Sequence, residues 1–281
     1  MIASTPSTGP TTTTAPVAAP DRNPASGWRN WLARQQRISE KWDRILLPAE
    51  LWRDPFRDFR HNMVYPALGS AKVAYDVGGG RSPFIPAAMC AELDLTVTGL
   101  DISPEELAAG QYQWATVPDL SGGYVGSEDG DLAICHTVLE HVPDVRRAMA
   151  SLASLLHPGG WAYVFVPRRT ALLARLNRCL PEAPKRWLLD FLYPETLDRR
   201  GFRAYHDQCE PAGLAAAAQA AGFHVVASRA YFVSFYLYTC APLHVPWRLA
   251  ANLRRWLVGV NAAQYLALEL EKSGGPAAGR Q

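Results

Sequence analysis

Beyond Leu68 the chain alternates short apolar runs with stretches whose apolar positions recur every three or four residues, the rhythm of strands separated by helices. Residues 72–77 predict a strand ending in Asp76-Val77-Gly78-Gly79-Gly80, and 82–92 a helix with Pro83 in its first turn, where a missing N–H costs nothing. Residues 95–100 predict a second strand closed by Asp101. Ser103-Pro104-Glu105-Glu106 then opens a helix with a capping serine, an early proline and acids that suit its positive end. A third strand is expected over 131–135, a helix over 145–156 stopped by His157-Pro158-Gly159-Gly160, and a fourth strand over 161–166. An alanine-rich helix over 211–221, a strand over 223–227 and a last strand over 264–271 follow. Near-continuous apolar strands between helices imply a parallel sheet covered on both faces, an α/β fold.

Four stretches depart from this rhythm. Residues 1–26 are Thr, Pro, Ala and Ser with almost no large apolar side chain, so they bury too little surface to offset their ordering entropy and are expected to be a disordered tail. In 27–47, the opening of an N-terminal region that runs to residue 67, Trp28, Trp31, Ile38, Trp42 and Ile45 form one helical stripe with arginines and lysine largely elsewhere. Its expected role is to pack on the core through the tryptophans, and a lid over a ligand cleft is the alternative. After Pro167 the segment 167–210 carries nine Lys or Arg against six acids. It reads as a solvated helical cap, or as a lid that attracts an anionic acceptor. Residues 231–261 are rich in aromatics and leucines beside Arg248, Arg254 and Arg255. That face is suited to three occupants: an anionic membrane surface, a second copy, or the substrate cleft. The main domain is thus expected over 68–272, carrying the insertions 167–210 and 231–261, with a flexible end at 273–281.

Composition narrows the function classes. Hydrophobic residues are 48% of the chain and charged residues 19%, enough for a sizeable core in one large domain. A net charge of +2 is no footprint for a dedicated nucleic-acid binder. Five widely spaced cysteines without a C-x-x-C pair argue against a disulfide framework or a zinc site and for a reducing compartment. The start of the chain has no basic, apolar secretory pattern, so the expected location is cytoplasmic, with contact at the inner membrane surface as a variant.

The chemistry gathers at the strand ends. Gly78, Gly79 and Gly80 follow a strand and precede a helix, where glycine lets backbone approach a ligand and helix N–H groups face it. Asp101 ends the next strand, twenty-three residues after Gly78, where a carboxylate can accept from two ribose hydroxyls. A G-x-G-x-x-G dinucleotide pattern fails because its sixth position is Pro83. Asp76 beside the turn repels a pyrophosphate and attracts a cation, so the charges favour S-adenosylmethionine over a nicotinamide dinucleotide.

Asp76-Val77-Gly78-Gly79-Gly80, Leu100-Asp101-Ile102-Ser103, Asp131-Leu132-Ala133-Ile134-Cys135 with Val138-Leu139-Glu140-His141-Val142, and Leu156-His157-Pro158-Gly159-Gly160-Trp161 resemble the successive motifs of class I S-adenosylmethionine-dependent methyltransferases, over about residues 68–167. Phe202-Arg203-Ala204-Tyr205-His206-Asp207 and Ala220-Ala221-Gly222-Phe223 resemble bacterial small-molecule and glycan-pathway members. The resemblance implies a Rossmann-like seven-stranded sheet with its last strand antiparallel. It implies Asp76 and the Gly78–Gly80 turn at the methionine end, Asp101 with Ile102 at the ribose, and Asp119 at the adenine amino group, although Asp119 also reads as a turn residue. His136, His141 and His206 are candidate bases or acceptor contacts, with His136 nearest the expected sulfur. The reaction expected is methyl transfer to oxygen or nitrogen of a small-molecule or glycan-pathway acceptor. A nicotinamide-dependent oxidoreductase and a cofactor-binding scaffold without turnover are the alternatives.

Overall fold

The computed structural model describes residues 24–110, 112–116, 118–171, 204–235 and 237–274. Nearly all of the N-terminal tail, the arginine-rich stretch 172–203 and the end beyond 274 therefore lie outside the described residues. Helix α1 (Pro24–Leu46) opens inside the segment expected to lack structure. Asp54 caps α2 (Pro55–Phe59) by accepting the N–H groups of Phe56 and Arg57, 3.0 Å each. The helix continues through a π-helical turn, Arg60–Val64, into α3 (Tyr65–Ala67).

The sheet then forms from β1 (Val73–Val77), α4 (Ala87–Leu93), β2 (Thr96–Leu100), α5 (Pro104–Gly110), β3 (Trp114–Thr116), β4 (Gly130–His136), α6 (Val145–Leu155), β5 (Leu156–Pro167), α7 (Pro211–Ala220), β6 (Phe223–Tyr231), α8 (Ala241–Val258) and β7 (Tyr265–Lys272). Its seven strands lie in the order β3-β2-β1-β4-β5-β7-β6, with β7 antiparallel to both neighbours and the other pairings parallel. This is the expected seven-stranded arrangement. Side chains alternate between the two faces. Tyr75, Val77, Ala133, Cys135 and Val164 pack under α6 and α7, whereas Ala74, Leu132, Ile134, Tyr163 and Phe165 face the helices before β1.

Several boundaries differ from expectation for local reasons. The first sheet helix begins at Ala87 rather than residue 82, because Pro86 holds the preceding residue out of helical geometry and stands as the cap itself. The fourth strand starts at Leu156 rather than Trp161: Gly130 pairs with Leu156, and a register shift before Leu132 absorbs the turn. The strand after α7 runs on to Tyr231, and Gln264 donates its N–H to the Tyr231 carbonyl at 2.7 Å, so the apolar insertion closes at its base. The edge strand β3 was not anticipated; with three residues and an exposed Trp114 it has no alternation to read.

The N-terminal stripe is the clearest correction. Trp28, Trp31 and Trp42 are not packed into the core; each keeps more than a third of its surface exposed. The side chains that α1 buries are Ser39, Asp43 and Leu47 just beyond its end, and they face α8 and the loop before it. Asp43 is fully buried and accepts from His244 Nε2 at 2.6 Å, Arg248 Nε at 2.6 Å, Arg248 Nη2 at 2.8 Å and the Tyr238 hydroxyl. Burial alone would raise its pKa, but the bonds from His244 and Arg248 and the arginine charge bring it below the ordinary carboxylate value. Ser39 donates to the Tyr238 carbonyl and Asn252 to the Leu46 carbonyl, so polar contacts run along this helix pair.

Removing Asp43 leaves Arg248 buried without its counter-charge. Asp43→Ala is expected to lower unfolding free energy by about 3 kcal/mol or more in urea titrations, and a loss below about 1 kcal/mol would refute the anchoring role.

Candidate active site

Parallel pairing brings three strand ends to one level. Val77 stands opposite Leu100 on one side and Cys135 on the other, so Gly78, Asp101 and His136 leave the sheet in a row. This row lies at the carboxyl edge, where the strand order reverses between β1 and β4, the ligand crevice of open α/β sheets. Gly78 has φ +76°, and its N–H bonds the Leu100 carbonyl at 2.6 Å; a side chain there would meet Val138 Cγ2 at 2.1 Å. Arg81 grips Glu106 with two bonds of 2.6 Å, tying the glycine turn to the start of α5.

Asp76 is 1% exposed beneath this turn. Its Oδ2 accepts the Phe84 N–H at 2.6 Å and the Tyr112 hydroxyl at 2.7 Å. Burial, only partly offset by those bonds, pushes its pKa up to about 6. Tyr112 fills a slot made by three glycines: a β-carbon at Gly79 would lie 1.9 Å from its hydroxyl, and one at Gly99 or Gly110 within 2.7 Å of its ring. Burial and then the neighbouring Asp76 hold the Tyr112 phenol well above its ordinary pKa.

At the end of β2, Asp101 is half-buried and its Oδ1 accepts the Ser103 N–H at 2.9 Å, while Ile102 stands exposed beside it. Asp119, past β3, is exposed in a turn where Oδ1 accepts the Ser121 N–H at 2.9 Å. His136 is walled by phenylalanines, with ring centroids 5.7 Å from Phe56 and Phe59, 5.4 Å from Phe84 and 5.1 Å from Phe165. Burial, and then the Arg60 charge, lower its pKa to about 4, so its ring is neutral at physiological pH. Arg60 itself lies over the Phe84 ring, 4.7 Å from its centroid.

His141 and His206 belong to a second cluster. His141 ends a 3-10 turn, Leu139–His141, and the backbone N–H groups of Tyr205 and His206 both bond the Glu140 carbonyl, at 2.7 and 2.9 Å. The Glu140 side chain is 4% exposed, and burial raises its pKa to about 8. The segment 204–210 is thereby fastened to the turn after β4, and Asp207 reinforces it by accepting the Val145 N–H at the start of α6.

Sequence reasoning missed Tyr112, Arg60 and the phenylalanine wall, and it quoted Glu140 without giving it a role. One signal was present. Gly99 interrupts a strand interior, and a glycine there marks a close approach by another group.

The donor set suits a cationic nucleoside. The Asp101 carboxylate lies 3.2 Å from where a Gly80 β-carbon would sit, Asp76 is beneath the turn, and apolar rings wall the remainder. A pyrophosphate would meet two acids there.

A family profile described as a methyltransferase domain matches residues 50–228. The chain belongs to this methyltransferase family. It is an S-adenosylmethionine-dependent methyltransferase, and the nicotinamide reading falls away. It is similar to the ubiquinone biosynthesis O-methyltransferase of Bordetella avium (strain 197N), 27% identical over 205 residues that cover 64% of this chain and 78% of the relative. With the protein of the same name from Xanthomonas campestris pv. campestris (strain B100) it shares 34% over 161 residues, 53% of this chain and 61% of that one. Among solved structures, a SAM-dependent methyltransferase from Methanosarcina mazei superposes with a TM-score of 0.50 at 16% identity, covering 76% of this chain and 99% of the other.

The two buried acids of this edge, Asp76 and Glu140, give the methyltransferase a distinctive pH response. Asp76 and Glu140 bind protons more tightly folded than unfolded, so the stability they contribute is present below the ordinary carboxylate range. It is lost as pH rises through about 6 and about 8 respectively. Calorimetric scans should show the cofactor-free protein melting lower at pH 9 than at pH 7. Glu140→Gln should flatten that decline, and an unchanged slope would contradict the assignment.

Proposed function

We propose that this methyltransferase transfers a methyl group to a hydroxyl oxygen of a small aromatic compound. The observation that carries this reading is His136, a neutral polar ring set among Phe56, Phe59, Phe84 and Phe165 at the carboxyl edge of β4. A sugar ring brings many hydroxyls that each need a partner, which such a wall does not supply, whereas a planar phenol can stack on its exposed member, Phe56. The relatives' shared name, ubiquinone biosynthesis O-methyltransferase, supports an oxygen acceptor.

When bound, S-adenosylmethionine supplies an electrophilic methyl group on a sulfonium. In this reading Asp76 and the backbone of Gly78, Gly79 and Gly80 hold its methionine end, Asp101 with Ile102 the ribose, and Asp119 the adenine amino group. His136 accepts a hydrogen bond from the acceptor hydroxyl through its neutral ring and orients the oxygen. Its low basicity keeps it unprotonated until the transfer, and it takes the hydroxyl proton as the oxygen–methyl bond forms and the sulfur–methyl bond breaks, then passes that proton to solvent. Phe56, 37% exposed, offers the acceptor a ring face, while the buried Phe59, Phe84 and Phe165 keep water from His136 and hold its ring in place; alignment of this kind supplies much of the rate in such transfers. The Glu140 carbonyl, by taking the Tyr205 and His206 N–H groups, holds the 204–210 segment as the rim of the site, which carries His141 and His206.

Two measurements test this. Asp101→Ala should raise the calorimetric Kd for S-adenosylhomocysteine about tenfold or more, the scale of a lost charged hydrogen bond; an unchanged Kd in a folded variant puts the ribose elsewhere. Incubation with isotopically labelled cofactor and a panel of phenols, amines and sugars should label phenols, and His136→Phe should cut kcat about tenfold or more without moving cofactor Kd. Label appearing only in sugars or amines would overturn the aromatic-hydroxyl reading, and no label in any acceptor while cofactor still binds would favour a scaffold.

A further inference from the structure

Helix α8 is built inside out. Its buried positions include His244 at 0% and Arg248 at 1% exposure, both committed to Asp43 of α1. Its outward positions are apolar: Leu249 is 52% exposed, Leu253 59%, Trp256 79% and Leu257 64%. These four fall at i, i+4, i+7 and i+8, one continuous stripe, and Leu243 and Val260 extend it at either end with 48% and 60% exposure. A surface helix ordinarily turns such a stripe toward the core, and contiguous exposed apolar surface of this kind marks a contact face. Because the stripe points to solvent, covering the substrate cleft is not its role.

The charges identify the partner. Besides Arg248, which is buried against Asp43, helix α8 carries Arg254 and Arg255 and no acid. Its neighbour α1 exposes Arg29, Arg34, Arg37, Lys41 and Arg44 against two acids, of which Asp43 is buried and neutralised within the pair. Arg34, Ile38, Lys41 and Ile45 recur at i, i+4, i+7 and i+11, so α1 mixes basic and apolar groups on one face as well. An occupant must therefore accept leucines and tryptophan while carrying negative charge. A second copy would set arginine against arginine.

We propose that α8, braced by α1, lies flat on an anionic lipid bilayer, with Leu249, Leu253, Trp256 and Leu257 in the boundary between headgroups and acyl chains and Arg254, Arg255 and the exposed basic side chains of α1 toward the phosphates. Among the described residues no helix is long and apolar enough to cross a membrane, so the mode is in-plane docking. The proposal stands apart from the choice of acceptor. It has a physical route to the site, since Phe235 in the segment leading to α8 packs against Phe56, 6.4 Å between centroids, and Phe56 packs against His136.

The test is co-sedimentation of the full chain with phosphatidylglycerol-rich vesicles and with pure phosphatidylcholine vesicles. The wild type should pellet with the former, weakly with the latter, and less as salt rises. The double variant Leu253→Ser with Trp256→Ser should lose about tenfold or more in vesicle partitioning, the scale of two large apolar side chains no longer buried. Both positions are solvent-facing, so S-adenosylhomocysteine calorimetry should remain unchanged and certify the fold. If that double variant fails to bind S-adenosylhomocysteine, Leu249→Ser alone is measured in its place. Absence of wild-type binding to anionic vesicles overturns the proposal, as does equal binding by the variant. A concentration-dependent dimer in size-exclusion chromatography that the variant abolishes, without vesicle binding, overturns it in favour of a second copy.

Discussion

The Asp76 carboxylate lies under the glycine turn at the point where β1, β2 and β4 end level, and it fixes two things at once. By taking the Phe84 N–H it sets the path of the chain from the turn toward α4, and by taking the Tyr112 hydroxyl it draws the segment after α5 against the turn. The three glycines around Tyr112 are the packing counterpart of that bond, since any side chain at Gly79, Gly99 or Gly110 would occupy the ring's place. A charged group is costly in such a position, and burial raises its pKa accordingly. A cationic ligand at the adjacent edge, as proposed for Asp76, would offset it.

The same trade recurs at the far end of the molecule with the opposite outcome. Asp43 is as buried as Asp76, but His244, Arg248 and Tyr238 surround it and its pKa goes down. That cluster decides which way α8 faces. Once Arg248 and His244 turn inward to reach Asp43, helical geometry leaves the leucines and Trp256 outside. An electrostatic contact in the interior thus creates an apolar surface on the exterior.

Much of the carboxyl edge with its glycine turn was legible in the chain. The glycine turn, Asp76 and Asp101 follow from strand ends whose apolar runs are near-continuous, and parallel strands of similar length must finish on one edge. The aromatic wall around His136 was not legible, because Phe56 and Phe59 come from the helix before the sheet, Phe84 from the loop after β1 and Phe165 from β5. The N-terminal tryptophans misled for a related reason. A stripe records that one face is apolar, and Asp43, placed on the neighbouring face, reads as one more solvated charge until its arginine is known.

Local pattern determined the order of strands and helices apart from the edge strand β3, the position of the glycine turn and the acids that follow it, because each depends on residues a few positions apart. Tertiary structure alone decided which side chains surround His136, that Tyr112 fills the slot behind the turn, and that α8 shows its leucines to solvent. Those outcomes rest on contacts between residues as far apart in the chain as Asp43 and Arg248, whose energy exists only when the whole sheet has brought them within hydrogen-bonding reach.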